Sequence, residues 1–186
     1  MTDGATTRRF TVEEYYRMGE AGILRDDERV ELMEGEIVML TPIGSEHAAS
    51  LNRLNRLWAS RLAHRAIMSI QNPVRLSPAS QFQPDLALLR PRPDFYRKSH
   101  PEPADVLLLI EVADTTVEKD RRLKIPLYAK SGIQESWLLD LPADRIHVYR
   151  QSRTEGYQDV HSHSRGQLLT PEAFPDITLS VDDRLG

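Results

Sequence analysis

Leu51, Leu54, Trp58 and Leu62 recur every three or four residues within EHAASLNRLNRLWASRLAHRA. That spacing predicts an amphipathic helix with this stripe buried. FTVEEYYRM predicts a shorter helix, opened by a Thr11–Glu14 capping box with Phe10 and Tyr15 placed as a hydrophobic staple. RVELMEGEIVML reads as two short strands about a Glu34-Gly35 turn, and MSIQNPVRLS and FQPDLALLR as one strand each. DVLLLIEVA is nearly all apolar, as a strand covered on both faces would be. Between FQPDLALLR and DVLLLIEVA lies a loop rich in proline (Pro91, Pro93, Pro101, Pro103).

Thr115 and Glu118 predict a second capping box, opening a helix over 116–130 that Pro126 kinks and Gly132 ends. ESWLLDL and RIHVYRQ flank Pro142-Ala143-Asp144 as a hairpin, and the last thirty residues predict an irregular strand or two. The expected fold is α/β, a mixed sheet flanked by helices, with the 116–130 helix crossing over between two parallel strands. A single domain over 1–186 is expected, with residues 1–9 a flexible N-terminus.

Composition narrows the class. No apolar run approaches the roughly 18 residues of a membrane span. MTDGATTRRF lacks the apolar core of a signal peptide, and cysteine is absent, which removes disulfides and thiolate metal sites. A cytoplasmic protein with no membrane partner is the expectation. The net charge of −4 argues against non-specific coating of nucleic acid, but the charge is unevenly spread: −6 over 1–46, +7 over 47–100 and −5 over 101–186. The basic middle would suit a phosphate-facing surface, or would simply solvate a helix and a loop.

Two carboxylates stand out. Asp85 lies in one apolar run, and Glu111 in another where six of the seven preceding residues are apolar. An unpaired carboxylate in such a strand is costly. If the two runs pair antiparallel, a register placing Asp85 opposite Glu111 also places Arg90 opposite Val106, where the loop would close. Directly opposite residues share a face, with Cβ atoms roughly 5 Å apart. The two acids then repel unless one is protonated or a cation lies between them, and Mg²⁺ suits such a pair. The following helix runs back far enough to bring Lys124 level with Glu111, with Asp120 one turn earlier to orient its ammonium. Metal, carboxylates and lysine in one cleft suit phosphodiester hydrolysis. The bland alternative is a core salt bridge between Glu111 and Lys124.

Pro84-Asp85, then Glu111-Val112-Ala113, then Asp120 and Lys124, then YAKSGIQESWLLD, with VELMEGEIV and His47 upstream, resemble the PD-(D/E)XK nuclease superfamily. More narrowly, the chain is similar to a large bacterial family of restriction-endonuclease-like proteins. The resemblance implies a restriction-endonuclease-like fold and an endonuclease that hydrolyses DNA with Mg²⁺, for which Mn²⁺ substitutes. It implies metal ligation by Asp85, Glu111 and the Val112 carbonyl. Lys124 would be the catalytic cation, and Glu31 the acid completing the site, with Glu36 the weaker candidate for that role. The superfamily's lysine usually stands two residues after the second acid; here that position is Ala113, and Lys124 on the next helix matches the narrower family. By analogy a symmetric homodimer is expected.

Ala113 also favours a different reading, a nucleic-acid-binding or interaction module with a silent site; a third is a phosphodiesterase with another substrate. His47 could contact phosphate or support the acids, or be a surface residue. His161 and His163 in VHSHSRG read as a solvated loop, and Trp58 and Trp137 as core. Tyr128 reads equally as core or cleft wall.

Overall fold

Thr11 opens the first helix, α1 (Val12–Glu20), with the expected capping box: its Oγ1 accepts from the Glu14 N–H, and the Glu14 carboxylate accepts from the Thr11 N–H. This computed structural model describes residues 6–25 and 27–182. The expectation of a flexible segment over 1–9 therefore falls largely outside the described residues; within it, Arg8 pairs with Glu14 and Arg9 with Glu36.

Strands β1 (Val30–Met33) and β2 (Glu36–Met39) form the expected hairpin, with both turn residues left-handed, Glu34 at φ 47° and Gly35 at φ 82°. That geometry matches the twist of the flanking strands. A Cβ on Gly35 would also fall 2.6 Å from the Arg9 Cβ and 3.0 Å from the Phe10 nitrogen. Gly35→Ala is therefore expected to destabilise the fold by about 1–3 kcal/mol, read as a lower urea midpoint at unchanged m-value.

The long helix α2 (Ser45–Leu62) buries the predicted stripe, and Trp58 lies 6.1 Å, centroid to centroid, from Trp137. Beyond it come β3 (Ile67–Ile70), β4 (Val74–Ser77), β5 (Ser80–Phe82), β6 (Leu86–Leu89) and β7 (Val106–Ala113). The crossover follows: a short turn α3 (Val117–Lys119), a π-helical turn (Asp120–Lys124) and α4 (Ile125–Ser131). The chain ends with β8 (Glu135–Asp140), β9 (Arg145–Arg153), β10 (Gly156–Ser164), β11 (Leu168–Leu169) and β12 (Leu179–Ser180).

A four-stranded sheet has the order β2-β1-β5-β4, and a six-stranded sheet the order β10-β9-β8-β7-β6-β3; β11 and β12 pair apart. Among the described residues only β7 and β8 run parallel, and the α3–α4 crossover joins them as expected. The six-stranded sheet is covered on both faces. One face packs on α2 and the Leu169–Val181 segment, the other on α4 with Val74, Leu76 and Phe82 from β4 and β5. That double cover explains why β7 is apolar throughout except at Glu111. Among the described residues no helix is long and apolar enough to cross a membrane.

Several expectations need correction. Neither MSIQNPVRLS nor FQPDLALLR is one strand. Each passes from one sheet to the other, breaking at Gln71-Asn72-Pro73 and at Gln83-Pro84-Asp85. Proline cannot donate to a ladder, so the chain leaves each sheet there. Asp85 thus stands just before β6, not within it. The β6–β7 register is as expected through Leu86↔Ile110 and Leu88↔Leu108, then slips by one residue at Leu89↔Val106.

The Thr115–Glu118 capping box does not form. Thr116 is the cap residue, its hydroxyl donates to Asp120 at 2.6 Å, and Glu118 pairs with Arg121 and Arg122. Pro126 sits in the first turn of α4 rather than kinking a continuous helix. Lacking an N–H to bond back to Arg122, it follows a π turn in which Ile125 N–H reaches the Asp120 carbonyl. VHSHSRG is largely strand: β10 is an exposed nine-residue edge paired along β9.

Candidate functional site

Both places where the chain changes sheets meet at one spot. The Gln71 N–H is shared between the carbonyls of Pro84 and Asp85, 3.2 Å from each, and its side-chain amide donates to Asp85 Oδ1 at 3.1 Å. Asp85 is thereby lifted off the end of β6 and turned toward Glu111 on β7. The two acids are 7% and 3% exposed, at the floor of a pocket lined also by Glu31, His47, Asp120 and Lys124.

Each acid is held by a different set of donors. Asp85 Oδ1 lies 2.8 Å from His47 Nε2, at the start of α2, and its Oδ2 accepts from the Val112 N–H at 2.9 Å. Burial pushes this carboxyl up, but His47, Val112 and Gln71 outweigh it and hold the group below its ordinary value. Glu111 Oε1 accepts from Lys124 Nζ at 3.2 Å and from the Tyr128 hydroxyl. Burial pushes Glu111 up to about 8; Lys124 opposes the rise, while Asp85, Asp120 and Glu31 add to it. One acid is pressed down and its neighbour up, a separation common where carboxylates take different chemical roles.

Lys124 lies on the π turn, 3.3 Å from Glu31 Oε1 and 3.2 Å from Glu111 Oε1. Burial alone would lower its pKa; the surrounding carboxylates, Glu111 first and Glu31 next, reverse this and keep the ammonium charged. Glu31, on β1, also accepts from the Gln83 N–H at 2.8 Å, while its Oε2 is buried without a hydrogen-bond partner among the described residues. Asp120 takes the Thr116 hydroxyl instead of orienting Lys124, and burial raises its carboxyl.

The structure thus gathers Asp85, Glu111, Lys124, Glu31, His47, Asp120 and Val112 around one pocket. Glu36 is not among them. It shares a hairpin face with Glu31 but stands at the turn end, opposite Met33, where it is exposed and bonded to Arg9 at 2.8 Å. Part of the basic 47–100 segment is tied up within the fold, while Arg53, Arg56, Arg97 and Lys98 are exposed. Arg65, Arg75 and Arg92 are spent on Asp176, Glu13 and Asp94. The pocket's free cations lie outside that segment: Arg29 and Lys119 line it with no ion pair among the described residues.

Tyr128 and Gln71 complete the acids' hydrogen bonding, and sequence reasoning missed both roles. Tyr128 follows Lys124 by four residues, one turn of helix, which is the signal that could have placed it beside Glu111. The groups that could hold a divalent cation are Asp85, Glu111 and the Val112 carbonyl. Among the described residues no three His, Asp or Glu side chains form a metal cage. Two carboxylates and a carbonyl, completed by water, are the oxygen donors that a hard divalent ion takes. The unpartnered Glu31 Oε2 and the raised Glu111 carboxyl both mark a surplus of negative character that such an ion would relieve.

Comparison with known proteins places the whole chain. The model of the Uma2 family, described as "Putative restriction endonuclease", matches residues 12–182. Among solved structures, a putative nuclease belonging to DUF820 from Anabaena variabilis superposes with a TM-score of 0.74 at 17% identity, covering 95% of this chain and 97% of that one. That likeness shows a shared fold. No curated protein matches the chain in sequence.

Proposed function

The chain belongs to the Uma2 family of putative restriction endonucleases, and we propose that its acidic pocket is the centre of a metal-dependent endonuclease that hydrolyses DNA phosphodiester bonds. The observation that carries this reading is the convergence of Asp85, Glu111, Glu31 and Lys124, from four separate elements, on one pocket open to solvent. A salt bridge serving only stability would not need a second buried acid beside it, nor an opening. Asp85 and Glu111, with the Val112 carbonyl, would hold Mg²⁺ or Mn²⁺. When bound, that ion supplies a water of lowered pKa and polarises a phosphoryl oxygen.

The chain's own groups do the rest. Lys124, kept charged by its carboxylate neighbours, offers a fixed positive charge to the oxygens on which negative charge develops. Glu31 fixes the direction of that ammonium. His47 and Gln71 hold Asp85, and Tyr128 holds Glu111, so neither acid has to reorient. Ala113 stands where the superfamily's lysine is usual, and Lys124 approaches Glu111 from the crossover helix instead.

Supercoiled plasmid incubated with Mg²⁺ or Mn²⁺ tests the reading. Nicking is expected from the parent, at least a hundredfold less from Asp85→Asn, and none in EDTA. Binding without nicking in every metal would favour a silent nucleic-acid-binding module. Turnover of a small phosphodiester but not of DNA would favour another substrate.

A further inference from the structure

We infer that the pocket receives an unpaired nucleotide, so that the substrate is single-stranded DNA or a duplex opened at the step to be cut; this rests on the nuclease reading above. The acids lie on the floor. One wall is apolar: Val38 at β2, then Leu40, Pro42 and Ile43 on the segment leading to α2. Ile43 is 42% exposed, an aliphatic side chain open to water beside a cluster of charges. Asp114, Thr115, Thr116 and Lys119 give the pocket a polar lining as well. Gly44 lies close to this polar lining: a Cβ there would stand 3.9 Å from Asp114 Oδ2.

A paired strand has little use for such a wall. In a duplex the bases point away from their own backbone and their faces are covered by neighbours. A phosphate reaching the floor would then present only sugar to Val38, Leu40, Pro42 and Ile43. An unpaired nucleotide can instead turn its base onto the aliphatic wall while its phosphate meets the floor. Leu, Ile, Met and Pro serve as wedges at opened steps of nucleic acid. Charge agrees. Arg29 and Lys119 line the pocket and make no salt bridge among the described residues, so both can meet the flanking phosphates. A single-strand cut needs one site, so this substrate does not require a second copy of the chain.

Fluorescence anisotropy on one sequence in three forms tests the inference: single strand, full duplex, and duplex with a central mismatched bubble. It is run on the metal-free protein and with Ca²⁺, beside cleavage in Mn²⁺. The single strand and the bubble should bind and be cut about tenfold or more better than the full duplex. Ile43→Ser should shrink that preference several-fold. Arg29→Gln with Lys119→Gln should weaken all three forms and flatten the salt dependence. A full duplex bound and cut as well as the single strand overturns the inference while leaving the nuclease reading in place. So does an Ile43→Ser variant with unaltered preference. If no form is cut in an Asp85-dependent way, the nuclease reading fails, and the binding arm still decides for or against an unpaired strand.

Discussion

Lys124→Met is expected to lower nicking by at least a hundredfold and to destabilise the protein at alkaline pH by about 3–5 kcal/mol. Both effects come from the same geometry. The Lys124 ammonium lies within 3.3 Å of two carboxylates that are 1% and 3% exposed, Glu31 and Glu111. Removing one member of a buried ionic group leaves the others uncompensated, which costs more than the group contributed. Glu111 can escape by taking a proton, because burial already pushes its carboxyl up to about 8. The variant's deficit should therefore be largest at pH 8–9 and shrink toward pH 5, where protonation neutralises the acid. Urea midpoints across that range check this. A cycle with Glu31→Gln should be strongly non-additive, since both changes act on one contact. Lys124→Arg separates the two roles. It restores charge but presents a planar fork in place of a compact ammonium, so stability should recover more than activity. Undiminished nicking by Lys124→Met would remove the lysine from the chemistry.

Much of this site could be read from the chain because local rules and long-range packing agree in its central part. The apolar run before Glu111 marked a strand covered on both faces, and the antiparallel register supposed for the two runs holds from Leu86↔Ile110 to Leu88↔Leu108, though not at the loop, where it slips. The parallel crossover placed Lys124 at the right height from helix rise alone. What stayed hidden depends on groups distant in sequence. Alternation predicts strands but not the sheet each half joins, so the changes of sheet at Pro73 and Pro84 were invisible. They are what turn Asp85 toward Glu111. Glu31 and Glu36 look alike in a short hairpin. Only the packing of the turn against Arg9 sends one to the surface while the other is buried. The π turn escaped because Pro126 signals a disturbance in a helix without saying how it will be absorbed. β10 escaped because GYQDVHSHS is an exposed edge whose polar residues mimic a loop.

Glu111→Gln should abolish cleavage and yet make the metal-free protein more stable than its parent at pH 8–9. In the folded parent the Glu111 carboxyl is raised to about 8, first by burial and then by Asp85, Asp120 and Glu31, against an ordinary 4.5. A group raised on folding binds more protons in the native state. Its stabilisation is complete below about 4.5 and is lost as pH climbs through 8. Asp120, also raised by burial, adds a slope of the same sign. Asp85, held below its ordinary value, loses its contribution only as pH falls toward acid, outside this window. The share of stability that Glu111 controls should therefore fall between pH 5 and 9 by an amount on the order of a few kcal/mol. Glutamine cannot titrate, so the variant should lose the part of the slope that Glu111 contributes. A divalent ion binding the native state would stabilise the parent by mass action, most strongly where Glu111 has already given up its proton. The same ion should leave the Glu111→Gln midpoint nearly unmoved. Urea melts from pH 5 to 9, with and without Mg²⁺, decide it. Parallel curves for parent and variant would mean that Glu111 is not the strained acid, and that the surplus of charge which invites a cation lies elsewhere in the pocket.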